Sequence, residues 1–180
     1  VLNDVGPVIE WASLERIGSY VGKSLQFPNF ESAAAAMSQI SEGFGPHTDE
    51  QWRKLSQAMV KPNPQGGVVL HYDPKISAPM ALMTRETAQA GETLLWQLYD
   101  QIQAQVLLIR GADSDLLSAS TAQAMAARGP KAHCTELEGV GHAPTLVAPG
   151  QVALIRKFLQ GEKGLPASIS LAQQAQEEAE

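Results

Sequence analysis

The sequence contains one cysteine, Cys134. A single cysteine excludes an internal disulfide and any zinc cluster that needs several thiolates. Cys134 lies in the stretch 132–137, Ala-His-Cys-Thr-Glu-Leu, whose alternation of apolar and polar residues is typical of a β-strand. We therefore predict that Cys134 is a packed thiol and not a nucleophile.

Positive charge and long apolar runs are also scarce. Lys and Arg number 13 against 19 Asp and Glu, which gives a formal net charge of −6. Because no basic cluster offsets this balance, a nucleic acid or an anionic membrane is a poor partner. No apolar run approaches the roughly 18 residues of a membrane span. We expect a cytoplasmic protein with a small-molecule substrate, and the sequence predicts no particular oligomeric state.

The chain changes character near residue 105. Residues 10–99 are mostly helical and loop-rich, and the capping-box spacing at Thr48–Gln51 predicts a helix that starts at Asp49. From residue 105 the pattern alternates strand, helix, strand, helix, which favours a parallel α/β sheet. Val106–Ile109 is a short apolar run, as expected for a parallel strand covered on both faces.

The last third of the chain holds two more predicted features. Residues 152–159 form an amphipathic pattern, with Val152, Ile155, Phe158 and Leu159 expected to face inward. Residues 168–180 are rich in Ala, Gln and Glu and lack an apolar stripe. We expect this tail to be a frayed or isolated helix, or disordered.

Candidate catalytic side chains follow three predicted strands. His142 stands in Gly139-Val140-Gly141-His142-Ala143-Pro144, where small neighbours leave the imidazole open to a cleft. Asp113 and Asp115 occupy the turn after the strand 106–109, and Asp4 ends a short apolar strand at the start of the chain. Because the carboxyl ends of neighbouring parallel strands meet at one edge of a sheet, these groups could come together.

An imidazole held by a carboxylate can take a proton from an attacking hydroxyl near neutral pH. We predict that His142 is this base and prefer Asp115 as the acid, with Asp113 and Asp4 as alternatives. The other histidines, His47, His71 and His133, are predicted to be structural. Because the histidines are dispersed and no Gly-x-Gly-x-x-Gly follows a strand, we expect neither a metal nor a cofactor.

The nucleophile is the missing member of this constellation. No serine stands in Gly-x-Ser-x-Gly, the tight strand-to-helix turn that exposes a nucleophilic serine. In hydrolases that carry this turn, the catalytic residues follow one another along the chain in the order Ser, Asp, His. We therefore expect the nucleophile to lie upstream of Val1, and this chain alone to be inactive.

Five blocks of the chain together resemble a capped subgroup of the bacterial α/β hydrolases. They are Leu2-Asn3-Asp4-Val5-Gly6-Pro7, Arg16-Ile17-Gly18-Ser19-Tyr20-Val21-Gly22, His71-Tyr72-Asp73-Pro74, 108–118 and Gly139–Pro144. The resemblance implies the C-terminal portion of an α/β-hydrolase parallel sheet with an inserted helical cap. Its parts would be a strand and turn at 1–7, the cap at 8–93, the C-terminal core at 94–160 and a flexible or helical tail at 161–180.

The resemblance also implies an activity. We expect a hydrolase with a Ser-Asp-His triad that cleaves an ester, a lactone or a carbon–carbon bond of a small, fairly apolar substrate. The alternatives are an epoxide hydrolase or dehalogenase with an upstream Asp nucleophile, and a non-catalytic ligand-binding or truncated member. Cap aromatics are the candidates for contact with the substrate: Trp11, Tyr20, Phe27, Phe30 and Trp52.

Overall fold

The protein is described here by a computed structural model of residues 1–176. Its strands are β1 (Leu2–Asn3), β2 (Gln26–Phe27), β3 (Val60–Pro62), β4 (Val68–Leu70), β5 (Leu107–Gly111), β6 (His133–Leu137) and β7 (Ser168–Ile169). Its α-helices are α1 (Trp11–Tyr20), α2 (Phe30–Ile40), α3 (Asp49–Met59), α4 (Ser77–Ala81), α5 (Arg85–Asp100), α6 (Ala119–Ala127), α7 (Pro149–Leu159) and α8 (Leu171–Ala175).

The main sheet has the order β1-β5-β6-β7, and all of its neighbouring strands are parallel. Every residue of β5 is buried, as predicted for a strand covered on both faces. Leu108 packs in a cluster with Tyr99 and Met125 on one face. Leu107 and Ile109 pack with Leu154 and others on the opposite face. The fold is therefore α/β with a parallel sheet.

Local sequence signals place two of the helices correctly. Thr48 and Gln51 form the predicted capping box at the start of α3, each accepting the other's backbone N–H through its side chain. The hydroxyl of Ser118 accepts the backbone N–H of Thr121 and so caps α6. In both cases a short polar side chain satisfies a backbone donor that the helix itself leaves unpaired.

The segment that joins the first strand to the rest of the sheet is not purely helical. It contains α1 to α4 and a three-stranded antiparallel sheet of order β2-β4-β3. The predicted cap boundary at 93/94 also falls inside α5, which starts after a Thr84 capping box. The first half of α5, residues 85–92, contains no large apolar residue, so the Thr84 cap is what marks its start.

The C-terminal prediction needs two corrections. In α7, Val152 is 49% and Leu159 is 72% exposed, contrary to the prediction, while Leu154 is buried. Ile155 and Phe158 pack against the same core cluster as Leu154, as predicted. The tail is also packed: β7 pairs with β6. Gln174 of α8 is buried, and its side-chain amide is hydrogen-bonded to Gln151 of α7. Residues 177–180 of the predicted tail lie outside the described residues.

Candidate active site

Three loops meet at the carboxyl ends of neighbouring strands of the main sheet. The loop after β1 carries Asp4, the loop after β5 carries Ser114, and the loop after β6 carries His142. Since β1 and β6 flank β5 on either side, the β5 loop lies between the other two. This is the edge at which α/β proteins generally place their sites.

His142 is hydrogen-bonded to Asp4. Its Nδ1 lies 2.8 Å from Oδ2 of Asp4, whose side chain is completely buried, whereas the His142 side chain is 27% exposed. A carboxylate can only accept, so Nδ1 carries the hydrogen and Nε2 keeps a free lone pair in the neutral ring. Within residues 1–176, Nε2 has no hydrogen-bond partner. This arrangement leaves Nε2 free to accept a proton.

Asp4 is held by more than the histidine. Its Oδ1 accepts the backbone N–H of Gly111 at 3.0 Å, and its Oδ2 accepts the hydroxyl of Ser114 at 2.6 Å. Its backbone has a φ of 53°, a left-handed conformation that Asp adopts more readily than most residues. These donors compensate for removing a carboxylate from water, and they fix the carboxylate relative to the ring.

Close backbone packing brings the histidine loop to the β5 loop. A Cβ on Gly111 would lie 2.4 Å from the carbonyl oxygen of Val140 and 2.5 Å from that of Gly141. No side chain fits at that distance, so a glycine is required there. The backbone N–H of Asp113 donates to the Val140 carbonyl at 3.0 Å.

Asp115, the preferred acid in the sequence prediction, does not meet His142. Its carboxylate binds the Arg16 guanidinium through Nη2 at 2.7 Å and Nε at 3.1 Å. Its backbone carbonyl accepts the hydroxyl of Ser13. Asp115 therefore links α1 to the β5 loop, and its side chain is 54% exposed. The structure corrects the preference: the residue beside His142 is the alternative, Asp4.

Asp113 is placed in the same loop without meeting the ring. Its side chain is exposed, and within residues 1–176 its recorded hydrogen bond is the backbone one to Val140. Its backbone N–H therefore links the β5 loop to the histidine loop. Of the three candidate carboxylates, that of Asp4 is buried, whereas those of Asp113 and Asp115 are exposed.

A buried arginine, Arg110, is hydrogen-bonded to the backbone of the β5 loop. Arg110 donates through Nε to the Leu117 carbonyl at 2.9 Å and through Nη1 to the Ala112 carbonyl at 3.3 Å. The same Nη1 lies 2.8 Å from Oε1 of Glu136 on β6. Since the guanidinium keeps its donors in a fixed plane, these bonds set the shape of the loop that presents Ser114.

The five predicted substrate-contacting aromatics are dispersed over the cap. They lie at the start of α1, at the end of α1, on β2, at the start of α2 and in the middle of α3: Trp11, Tyr20, Phe27, Phe30 and Trp52. Tyr20 is 47% exposed, and Phe30 packs under the guanidinium of Arg53 at 5.3 Å. Trp52 is buried and stacks against His47, with ring centroids 4.6 Å apart.

An aliphatic cavity opens near the Asp4 loop. It has a volume of about 400 Å³ and is lined by residues 7, 9, 14, 79, 82, 83, 87, 88, 91, 92 and 95. Its wall includes Pro7, three positions after Asp4, and Leu14 of α1. None of the five aromatics lines it, and most of its wall comes from aliphatic side chains.

Comparison with known proteins shows which proteins this chain resembles. No family model matches the chain. Over 165 residues it is 45% identical to a 3-hydroxybutyrate-oligomer hydrolase of Cupriavidus necator, covering 89% of this chain and 56% of that protein. It superposes on an α/β hydrolase of Novosphingobium aromaticivorans with a TM-score of 0.74, 34% identity and coverage of 88% and 55%. This chain has a partial α/β-hydrolase fold.

A second solved structure agrees with that assignment. A candidate hydrolase of Rickettsia typhi matches with a TM-score of 0.76 and 27% identity, over 90% of this chain and 53% of its own. The chain therefore spans about half the length of the relatives that it matches. These relatives carry hydrolase names, and the chain shares with them an α/β architecture with a parallel sheet.

Several residues that contact this site were not predicted from the sequence. Ser114 does not stand in Gly-x-Ser-x-Gly, yet its hydroxyl donates to Asp4. Asn3 was read as part of a strand, yet its Nδ2 donates to the Pro144 carbonyl at 2.9 Å. The available signal was a polar residue within a strand or in the loop that follows one, because such a group needs a partner when it is buried.

No transmembrane candidate was found among the helices of residues 1–176, since none combines the required length and apolar character. The same described residues contain no cluster of three or more His, Cys, Asp or Glu side chains that could hold a metal ion.

Proposed function

We propose that the chain supplies the acid and the base of a Ser-Asp-His hydrolase that cleaves an ester bond. Asp4 is the acid and His142 the base. The observation that carries this proposal is the 2.8 Å contact between His142 Nδ1 and the buried Asp4 Oδ2. The hydrolase names of the matched relatives support it.

In this mechanism the free Nε2 of His142 takes the proton of a serine hydroxyl while that oxygen attacks the ester carbonyl carbon. The resulting imidazolium, stabilised by the Asp4 carboxylate, then gives the proton to the departing alkoxide, which leaves as an alcohol. A water attacks the acyl-enzyme with the same base, which releases the acid and restores the serine. We place the serine in the part of an α/β hydrolase that this chain does not span.

The proposed substrate is a short ester-linked oligomer of a hydroxy acid such as 3-hydroxybutyrate. The 45% identical relative is named for such oligomers, and successive hydroxy acids in an oligomer are joined by ester bonds. The aliphatic cavity beside the Asp4 loop suits methyl and methylene groups, since apolar walls favour burial of apolar surface.

The test uses the complete polypeptide that carries this sequence, assayed on the dimer and trimer of 3-hydroxybutyrate. We expect His142→Ala to lower kcat by several orders of magnitude, and Asp4→Asn by about a thousandfold or more, with both variants folded. The control is His71→Asn, since His71 is an exposed histidine of the cap. Its kcat should stay at the wild-type value.

Two results contradict the proposal. One is turnover that survives in His142→Ala, which removes the base. The other is a wild-type polypeptide that binds the oligomer without hydrolysing it, which would make the fold a ligand-binding one. We also expect the 180-residue chain on its own to show no turnover, because it contains no Gly-x-Ser-x-Gly.

A further inference from the structure

A short segment of the cap, residues 43–47, contacts the loop that carries His142 at three points. The carbonyl of Gly43 accepts the backbone N–H of Gly141 at 2.7 Å. Gly45 packs so closely on Val140 that an added Cβ would lie 2.9 Å from its Cγ2. The third contact is a side-chain hydrogen bond, 2.6 Å long, between His47 Nε2 and Thr145 Oγ1.

The hydrogen-bonding pattern defines the tautomer of His47. Its Nδ1 lies 2.7 Å from the carbonyl oxygen of Gly45, which can only accept. Nδ1 therefore carries the hydrogen of the neutral ring, and Nε2 accepts the hydroxyl hydrogen of Thr145. Both ring nitrogens are thus used, one within the cap segment and one across to the catalytic loop.

Packing restricts the ring as well. His47 lies against Trp52 of α3, with centroids 4.6 Å apart and an interplanar angle of 40°. Trp52 is itself 9% exposed, so most of the indole is packed within the cap. A helix of the cap is therefore connected to the catalytic loop through Trp52, His47 and Thr145.

We propose that His47 is a positioning residue, which holds Thr145 and through it the loop that places the His142 ring. This inference rests on the proposed function, because it assigns His47 a role in the reaction of His142. His47 does not contact the reacting atoms. Thr145 lies only three residues after His142, so its bond to His47 limits the motion of the loop between them. Nε2 of His142 is thereby kept within hydrogen-bonding reach of the serine hydroxyl.

His47 also connects the cap to the loop that carries His142. Trp52 of α3 stacks on His47, and His47 is bonded through Thr145 to the loop of His142. Loss of the bond should therefore lower kcat while leaving KM nearly unchanged, since the loop positions the base and does not form the substrate pocket.

Two matched pairs of variants test the bond in the complete polypeptide. Thr145→Val removes the hydroxyl and keeps the shape, whereas Thr145→Ser keeps the hydroxyl. His47→Asn preserves a donor near Nδ1 for Gly45, whereas His47→Gln reaches the position of Nε2 with a carbonyl oxygen that can accept from Thr145. The substrate is the 3-hydroxybutyrate dimer.

We expect Thr145→Val and His47→Asn each to lower kcat by about fivefold to tenfold, with KM within about twofold of wild type. Thr145→Ser and His47→Gln should recover most of that loss. The double variant His47→Asn/Thr145→Val should be no slower than either single variant, because both remove the same bond.

Three results would overturn the role of His47: wild-type kcat in Thr145→Val, an equal loss in Thr145→Ser, or additive losses in the double variant. His142→Ala, measured beside them, separates the two proposals. If His142→Ala is inactive and Thr145→Val is not slowed, the role of His47 alone fails. If His142→Ala still turns over, the proposed function fails, and the role of His47 with it.

A readout that needs no turnover accompanies the kinetics. Solvent exchange of the Nδ1 proton of His142, followed by NMR, reports how often the loop opens. We expect Thr145→Val to exchange faster than Thr145→Ser, and equal rates would contradict the proposal.

Discussion

The hydroxyl of Ser114 donates to Oδ2 of Asp4 at 2.6 Å, so one carboxylate oxygen is shared between Ser114 and the Nδ1 proton of His142. Ser114 Oγ in turn accepts the backbone N–H groups of Leu116 and Leu117, each at 3.2 Å. The hydroxyl thus connects the buried carboxylate to the β5 loop.

Ser114→Ala is expected to weaken both stability and catalysis. It leaves Asp4 without one of its donors, and a hydrogen bond to a charged group contributes about 1.5–3 kcal/mol to the free energy of unfolding. We expect a loss within that range in urea denaturation and a fall in kcat of about tenfold. Ser120→Ala, on the exposed face of α6, is the control. Wild-type kcat in Ser114→Ala would show that Asp4 does not need this hydroxyl.

Asp115→Asn should have little effect, in contrast to Asp4→Asn. The ion pair of Asp115 with Arg16 is half exposed, and such pairs contribute about 0–1 kcal/mol to the free energy of unfolding. We expect kcat within about twofold of wild type and a small loss of stability, which added salt should diminish. A loss of kcat as large as that of Asp4→Asn would restore Asp115 as the acid.

The sequence predicted the sheet better than it predicted which carboxylate contacts His142. Val106–Ile109 and the Thr48 cap were recognisable because each pattern depends on neighbouring residues only. Asp4 and Asp115 both follow predicted strands, and what separates them is a contact with Arg16, 99 positions before Asp115. No local pattern reports which side chain such a distant cation attracts.

The C-terminal tail, which starts at residue 168, is a second place where local sequence patterns did not predict the packing. Its Ala- and Gln-rich sequence predicted no packing, because an apolar stripe is the usual sign of a buried face. Gln174 is buried instead by hydrogen bonds, since its amide binds Gln151 and the carbonyls of Glu138 and Ile169. Burial of this kind depends on partners in the folded state, which periodicity does not reveal.

Cys134 should react slowly with thiol reagents in the folded protein. Burial raises the pKa of the Cys134 thiol above its ordinary value, and nearby Glu136 raises it further, while Arg110 opposes them. Because only the thiolate attacks, a raised pKa lowers the reactive fraction. We expect alkylation by iodoacetamide at about pH 8 to be slower than that of glutathione, and to reach a similar rate once urea unfolds the chain. Equal rates in the folded protein would contradict this prediction.

Stability should fall in acid through Asp100. Its hydrogen bond with the Arg128 guanidinium holds the pKa of the Asp100 carboxyl below its ordinary value. A lowered folded-state pKa means that the stabilisation is present above the unfolded-state pKa and disappears as pH falls through the folded-state pKa. We expect the urea midpoint of wild type to drop more than that of Asp100→Asn between about pH 6 and pH 3. Parallel curves would exclude a contribution from this pair.

The most direct test of the central claim is the proton NMR spectrum of His142 in the Asp4→Asn and Asp115→Asn variants. The account predicts a downfield Nδ1 proton signal, typical of an imidazole that donates to a carboxylate, in the wild type and in Asp115→Asn. It predicts that this signal is lost or moved strongly upfield in Asp4→Asn, because the carboxylate that accepts the proton is gone. An unchanged signal in Asp4→Asn, or its loss in Asp115→Asn, would contradict the pairing of Asp4 with His142.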